Sequence, residues 1–153
     1  MTLPLFGTAA VCRGLGEQTR SVVRLRAPDL EASNTGADFT IVRTMDDLER
    51  AIRDSRDPIF AIDDGTGHLL DAERLPSRAV AVPVQFSYLG PGDVLGLHTP
   101  SGKFRALYRR GSRHNSFLVT ERCNNYCLMC SQPPKDIDDR WILNEIRQSL
   151  PLL

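Results

Sequence analysis

The sequence is short of several things, and each shortage removes a class of function. It has no excess charge of either sign: 19 Lys and Arg balance 19 Asp and Glu, for a formal net charge of zero. A chain so balanced has no global field to draw it to nucleic acid or to an anionic lipid surface. Lysine is nearly missing, with only Lys103 and Lys135 present, an arginine bias that reflects genome composition rather than function. No apolar run approaches the ~20 residues needed to span a bilayer. The opening MTLPLFGTAAVCRG lacks a basic region before its short apolar run, and Val11 ahead of Cys12 does not fit a small-residue cleavage site. These features predict a cytoplasmic chain, in a compartment that keeps thiols reduced. Cys12, isolated in the sequence, reads as a small packed hydrophobe.

What is present is first a set of short strands. SVVRLRA alternates as a half-buried strand should, PDLEASNTGAD breaks the pattern, and FTIVRT starts it again. Thr44, with Asp47 three residues on, has the form of a helix N-cap. The helix it opens puts Leu48, Ala51 and Ile52 on one face and stops before Pro58. PIFAID is another strand, and DDGTGH reads as a tight hairpin turn whose spacing misses a calcium loop. RAVAVPVQFSYL is strand-like, with Pro83 predicting an edge or a bulge. DVLGLHT and FRALYRR follow, joined by PSGK. The expected class is α/β overall. Residues 1–19 are an N-terminal segment and residues 20–111 a β-rich α+β module. Residues 112–153 differ in texture: a linker GSRHNS, an apolar strand FLVT, a cysteine loop, and a helix capped by Asp138 or Asp139 with Ile142, Ile146 and Leu150 on one face.

The cysteine loop is RCNNYCLMCSQPP, which places Cys123, Cys127 and Cys130 within eight residues. Several chemistries compete for such a trio. A disulfide leaves one thiol over and conflicts with a reducing compartment. Three unrelated buried cysteines do not suit a loop flanked by Asn, Arg and Pro. Structural zinc closes with four ligands, so the fourth would have to be His114, His98 or His68. An iron–sulfur cluster is held by closely spaced thiolates, and three of them on a four-iron cube leave one iron open. An open metal position is what catalytic sites keep and structural sites close.

The spacing Cys-x3-Cys-x2-Cys in CNNYCLMC resembles the signature of the radical S-adenosylmethionine (SAM) enzymes. The resemblance implies a [4Fe-4S] cluster on Cys123, Cys127 and Cys130, with SAM chelating the open iron through its amino and carboxylate groups. The reduced cluster would then cleave SAM to methionine and a 5′-deoxyadenosyl radical, which takes a hydrogen from the substrate. It also implies that the loop follows the first strand of a partial (β/α)6 barrel, a position FLVTERC fits. The residue before the third cysteine is commonly aromatic in that family and here is Met129, whose backbone would meet the adenine. A narrower likeness runs over roughly residues 60–150, strongest from Tyr108 to Asp139 through ALYRRGSRHNSFLVTERCNNYCLMCSQPPKDIDD. It is to the His-Xaa-Ser system radical SAM maturases of the HxsC type. That implies a His-Xaa-Ser repeat peptide as substrate, a sibling radical SAM maturase as partner, and a low-potential electron donor.

Supporting residues have plain readings beside the functional ones. Arg110, Arg113, Arg122 and Lys135 would tune an anionic cluster, or are solvated surface cations. Asn124 and Asn125 suit left-handed turn geometry, Pro133 and Pro134 stiffen the loop exit, and His114 with Asn115 forms a hydrogen-bonding pair. A six-unit barrel needs roughly 200 residues, so the chain is expected to be an inactive N-terminal part of a longer enzyme. Two non-catalytic alternatives are a zinc-stabilised adaptor and a module that captures a peptide on exposed strand edges.

Overall fold

The computed structural model describes residues 4–15, 20–28, 37–54, 58–123, 127 and 135–153. Eight strands form one sheet: β1 (Phe6–Thr8), β2 (Val11–Arg13), β3 (Arg20–Arg26), β4 (Asp38–Val42), β5 (Ile59–Ile62), β6 (Ala79–Val82), β7 (Val94–His98) and β8 (Lys103–Tyr108). Helix α1 (Met45–Asp54) joins β4 to β5, and helix α2 (Arg140–Ser149) lies near the C-terminus. The strand order is β1-β8-β7-β3-β4-β5-β6-β2. β3 to β6 run parallel to their neighbours in that series, while β7, β8, β1 and β2 pair antiparallel.

The two end strands of that order are neighbours in the chain, separated only by Ala9 and Ala10. Their amides donate to Gly102 O and Ala81 O, both at 2.8 Å. One bent stretch therefore ties β8 to β6 and closes the sheet into a barrel. The strands at the two ends of the order, β1 and β2, are three residues each and carry the free sheet edges among the described residues.

The period-2 pattern decides which side chains fill the barrel. Val23, Leu25, Phe39, Ile41, Phe60, Ile62, Val80, Val82, Leu95, Leu97 and Phe104 alternate inward along six strands, joined by Phe86 and Leu89. Phe86 and Phe104 meet edge to face at 4.8 Å, and Phe60 approaches Phe104 at 6.4 Å. Gly7 on β1 lies against these rings; a Cβ there would clash with Phe86 and stand 2.8 Å from Phe104. Only a residue without a side chain lets β1 come in that close.

On the outer face, α1 covers the parallel strands. Leu48 and Ala51 pack with Val42, Ile59, Ala61, Ala79 and Ala81, small residues that let the helix approach. Both faces of β5 and β6 are thus buried, as their unbroken apolar runs require. The Thr44 cap is present, its hydroxyl oxygen accepting the Asp47 N–H at 3.1 Å. Ile52 departs from expectation and is 49% exposed, because the face rotates toward Leu48 and Ala51.

Three further expectations are corrected. DDGTGH is no hairpin, since β5 and β6 are parallel and need a crossover. Buried Asp63 organises that crossover by accepting N–H bonds from Gly65, Gly67 and Leu69. Pro83 marks neither an edge nor a bulge: β6 sits between β5 and β2, ends at Val82, and Pro83 opens a 3₁₀ turn that delivers Phe86 to the core. FLVT is not a strand; residues 113–120 have no ladder partner among the described residues, and Leu118 and Val119 are 53% and 56% exposed.

Helix α2 does not pair with a strand of its own. It packs on the outer face of β3, with Ile142 and Ser149 fully buried and Leu152, just beyond the helix, against Val22, Val94 and Leu107. The boundary expected between residues 111 and 112 is crossed by this packing. The buried face also differs from the expected one: Glu145 and Ser149 point inward, Ile146 is half-buried and Leu150 is 57% exposed. The reason is electrostatic. Arg20 and Arg105 project from the barrel and take the Glu145 carboxylate at 3.5 and 2.5 Å. Trp141 lies under both guanidiniums, 3.7 and 4.8 Å from the ring centre. Gly96 of β7 leaves room for the carboxylate, since a Cβ there would sit 3.1 Å from it.

Candidate functional site

The cysteine loop hangs from a neck made by residues 120–123 on one side and 135–139 on the other. The Cys123 N–H donates to Lys135 O at 3.2 Å, joining the two sides. Arg122 pairs with Asp136 at 3.2 Å and Lys135 with Glu121 at 3.5 Å. Below them, one carboxylate oxygen of Asp139 accepts the Thr120 hydroxyl at 2.6 Å and the Glu121 N–H at 2.7 Å. The same oxygen receives the Arg122 N–H at 3.3 Å. Asp139 is only 7% exposed, so it serves as the bolt of the neck.

Asp139 also occupies the N-cap position of α2, as expected, but its side chain makes no capping bond. It turns across to Thr120 instead. The neighbouring Asp138 accepts the Arg140 N–H at 3.2 Å and pairs with that guanidinium at 2.6 Å. Asp138 is thereby held down at about 2, chiefly by the Arg140 side-chain hydrogen bonds. The Thr120 hydroxyl, and after it the Glu121 and Arg122 amides, hold Asp139 below the usual carboxylate value. Arg140 is raised by the same contact with Asp138.

Cys123 and Cys127 are both exposed and no disulfide joins the three described cysteines. Cys12 is apart from them, half-buried against the barrel interior, and burial pushes its thiol up. Cys130, Met129, Asn124, Asn125, Pro133 and Pro134 lie outside the described residues. Residues 123–134 contain no charged side chain, so the ionic groups nearest the thiols in sequence are those of the neck. Arg122 and Lys135, expected to tune an anionic centre, stand there. Arg110 does not: its side chain packs on Gly92 and its N–H donates to Asp93 at 2.8 Å. Arg113 is exposed. Asn115 brackets the Arg109 backbone with two bonds of 2.9 and 3.0 Å, while His114 is exposed and its backbone pairs with Ser112.

The donors fit an iron–sulfur centre in chemistry. The exposed Cys123 and Cys127 thiols are soft donors of the kind an iron site takes. Among the described residues no group of three or more His, Cys, Asp or Glu converges on one point. Two of the three proposed ligands are described, so the trio is not seen as a set. Asp139 was missed as a clamp because nothing in the run DIDD says which carboxylate has a partner nineteen residues earlier. No helix among the described residues is long and apolar enough to cross a membrane. Comparison with family models, with curated proteins and with solved structures gives no match for the chain.

Proposed function

We propose that this chain carries the cluster loop of a radical SAM peptide maturase acting on a His-Xaa-Ser repeat peptide. The observation that carries the reading is the spacing of Cys123, Cys127 and Cys130 in CNNYCLMC. The exposure of Cys123 and Cys127 and the hydrogen-bonded neck support it. In this reading the three thiolates hold a [4Fe-4S] cluster and the Met129 backbone borders the adenine of SAM. When bound, the cluster supplies the electron for reductive cleavage of SAM. The chain's own residues do the positioning: Asp139 pins the neck, and the Arg122–Asp136 and Lys135–Glu121 pairs brace it beneath an uncharged loop. A low-potential electron donor and a sibling maturase are the partners, and the cytoplasm is the compartment.

Anaerobic reconstitution of the whole chain with iron and sulfide tests this. The expected product is brown, with about four irons per chain, and loses its visible absorption in Cys123→Ala, Cys127→Ala and Cys130→Ala. SAM should alter the electron paramagnetic resonance spectrum of the reduced product. A colourless chain holding one zinc would overturn the proposal in favour of an adaptor.

A further inference from the structure

A second site lies on the barrel wall, and its chemistry does not involve the cysteines. A cleft of about 550 Å³ opens where β1, β8, β7 and β3 present their outer faces beside α2. The pairing registers align Thr8, Lys103, His98 and Arg20 in one cross-strand row. The next row places Phe6, Arg105 and Gly96 side by side, with Glu145 filling the space over the glycine.

Opposite charges here do not cancel. Glu145 is 2% exposed and occupies one edge of each guanidinium, accepting from Arg20 Nη1 and from Arg105 Nε and Nη2. Arg20 Nε and Nη2 and Arg105 Nη1 make no hydrogen bond to it. Lys103, one of only two lysines in the chain, is exposed and has no ion pair among the described residues. The cleft thus holds three permanent cations against one carboxylate. Phe6, 72% exposed, forms an apolar lip.

The spacing selects the ligand. Lys103 and Arg20 stand two strands apart, so about 10 Å separates their backbones. Carboxylates two residues apart on an extended chain project to the same face, about 6.6 Å apart, and flexible Lys and Arg side chains reach both. We infer that this cleft binds an acidic peptide segment, its carboxylates on Lys103 and Arg20 and an apolar side chain on Phe6. The cleft volume is in the range of sites that enclose short ligands. This inference is independent of the iron reading, because no residue of the cleft belongs to the cysteine loop.

Fluorescence anisotropy with a labelled peptide bearing Glu at alternate positions and a terminal Leu tests it, using the whole chain. The expected result is saturable binding that weakens as salt rises. Lys103→Glu, a change at an exposed and unpaired position, should weaken binding by about tenfold or more while leaving the circular dichroism spectrum intact. Cys123→Ser should bind as the parent does. Equal binding of the Gln-for-Glu peptide, or of Lys103→Glu, sinks the proposal. So does displacement of the peptide by inorganic phosphate as effectively as by unlabelled peptide, which would mark a small-anion site instead.

Discussion

The barrel and the neck of the cysteine loop are kept in order by opposite means. In the barrel, rings and branched chains from Phe39 to Phe104 are buried to the last few per cent, and six of the eight strands are paired on both sides. In the neck the one large apolar side chain, Ile137, is exposed, as are Leu118 and Val119 leading into it, and order comes from Asp139, Arg122, Glu121 and Lys135. Apolar burial is strong and insensitive to solution conditions, whereas polar clamps are weaker and respond to pH and salt. The segment proposed to hold a cluster is flanked by the second kind of support. Helix α2 belongs to both regions, anchored to the barrel by Ile142 and Glu145 and to the neck by Asp139.

The comparison breaks first if the core is not what holds the barrel. Phe60→Ala removes a fully buried ring and should cost about 4 kcal/mol, read as a lowered midpoint in urea unfolding. A loss below ~1 kcal/mol would mean that the interior is loosely packed.

A smaller effect is expected where α2 meets the barrel. Arg20 and Arg105 retain 34% and 22% side-chain exposure, so water screens the pairs. Glu145→Ala should therefore cost about 2 kcal/mol, less than a fully buried ion pair would. Trp141 is the only tryptophan in the chain, and its emission should shift to the red as the helix lifts, while strand circular dichroism persists. Unchanged emission would show that Ile142 and Leu152 hold the helix without the ion pairs.

The smallest effect is in the neck itself and sharpens the contrast through pH. Asp139 titrates below the ordinary 3.8 in the folded chain. A depressed carboxylate stabilises fully above its unfolded value and loses that contribution as pH falls through the folded one. Hydrogen exchange at the Glu121 and Arg122 amides, corrected for intrinsic rates, should accelerate below pH 3.8 while β5 and β6 stay protected. Asp139→Ala should show the faster exchange at neutral pH. Simultaneous loss of protection in barrel and neck would merge the two regions into one cooperative unit.

Much of the barrel could be read from the chain because its period-2 alternation and caps are local. SVVRLRA, FTIVRT and the Thr44 cap needed no knowledge of their neighbours. The misreadings share one cause. Pro83, DDGTGH, FLVT and the face of α2 each depend on a partner distant in sequence: β2 beside β6, the parallel register of β5 and β6, a strand that FLVT lacks, and the arginines on β3 and β8.

By itself, the sequence determined the strand pattern, the α1 cap, and a trio of thiols whose spacing is a property of consecutive residues. Only the tertiary structure decided that Ala9 and Ala10 would close the sheet, that Gly96 would make room for Glu145, and that Asp139 would bolt Thr120 to the helix. Local propensity and alternation are carried along the chain one residue at a time. Closure, charge pairing and clamping arise between segments whose separation in sequence says nothing of their distance in space.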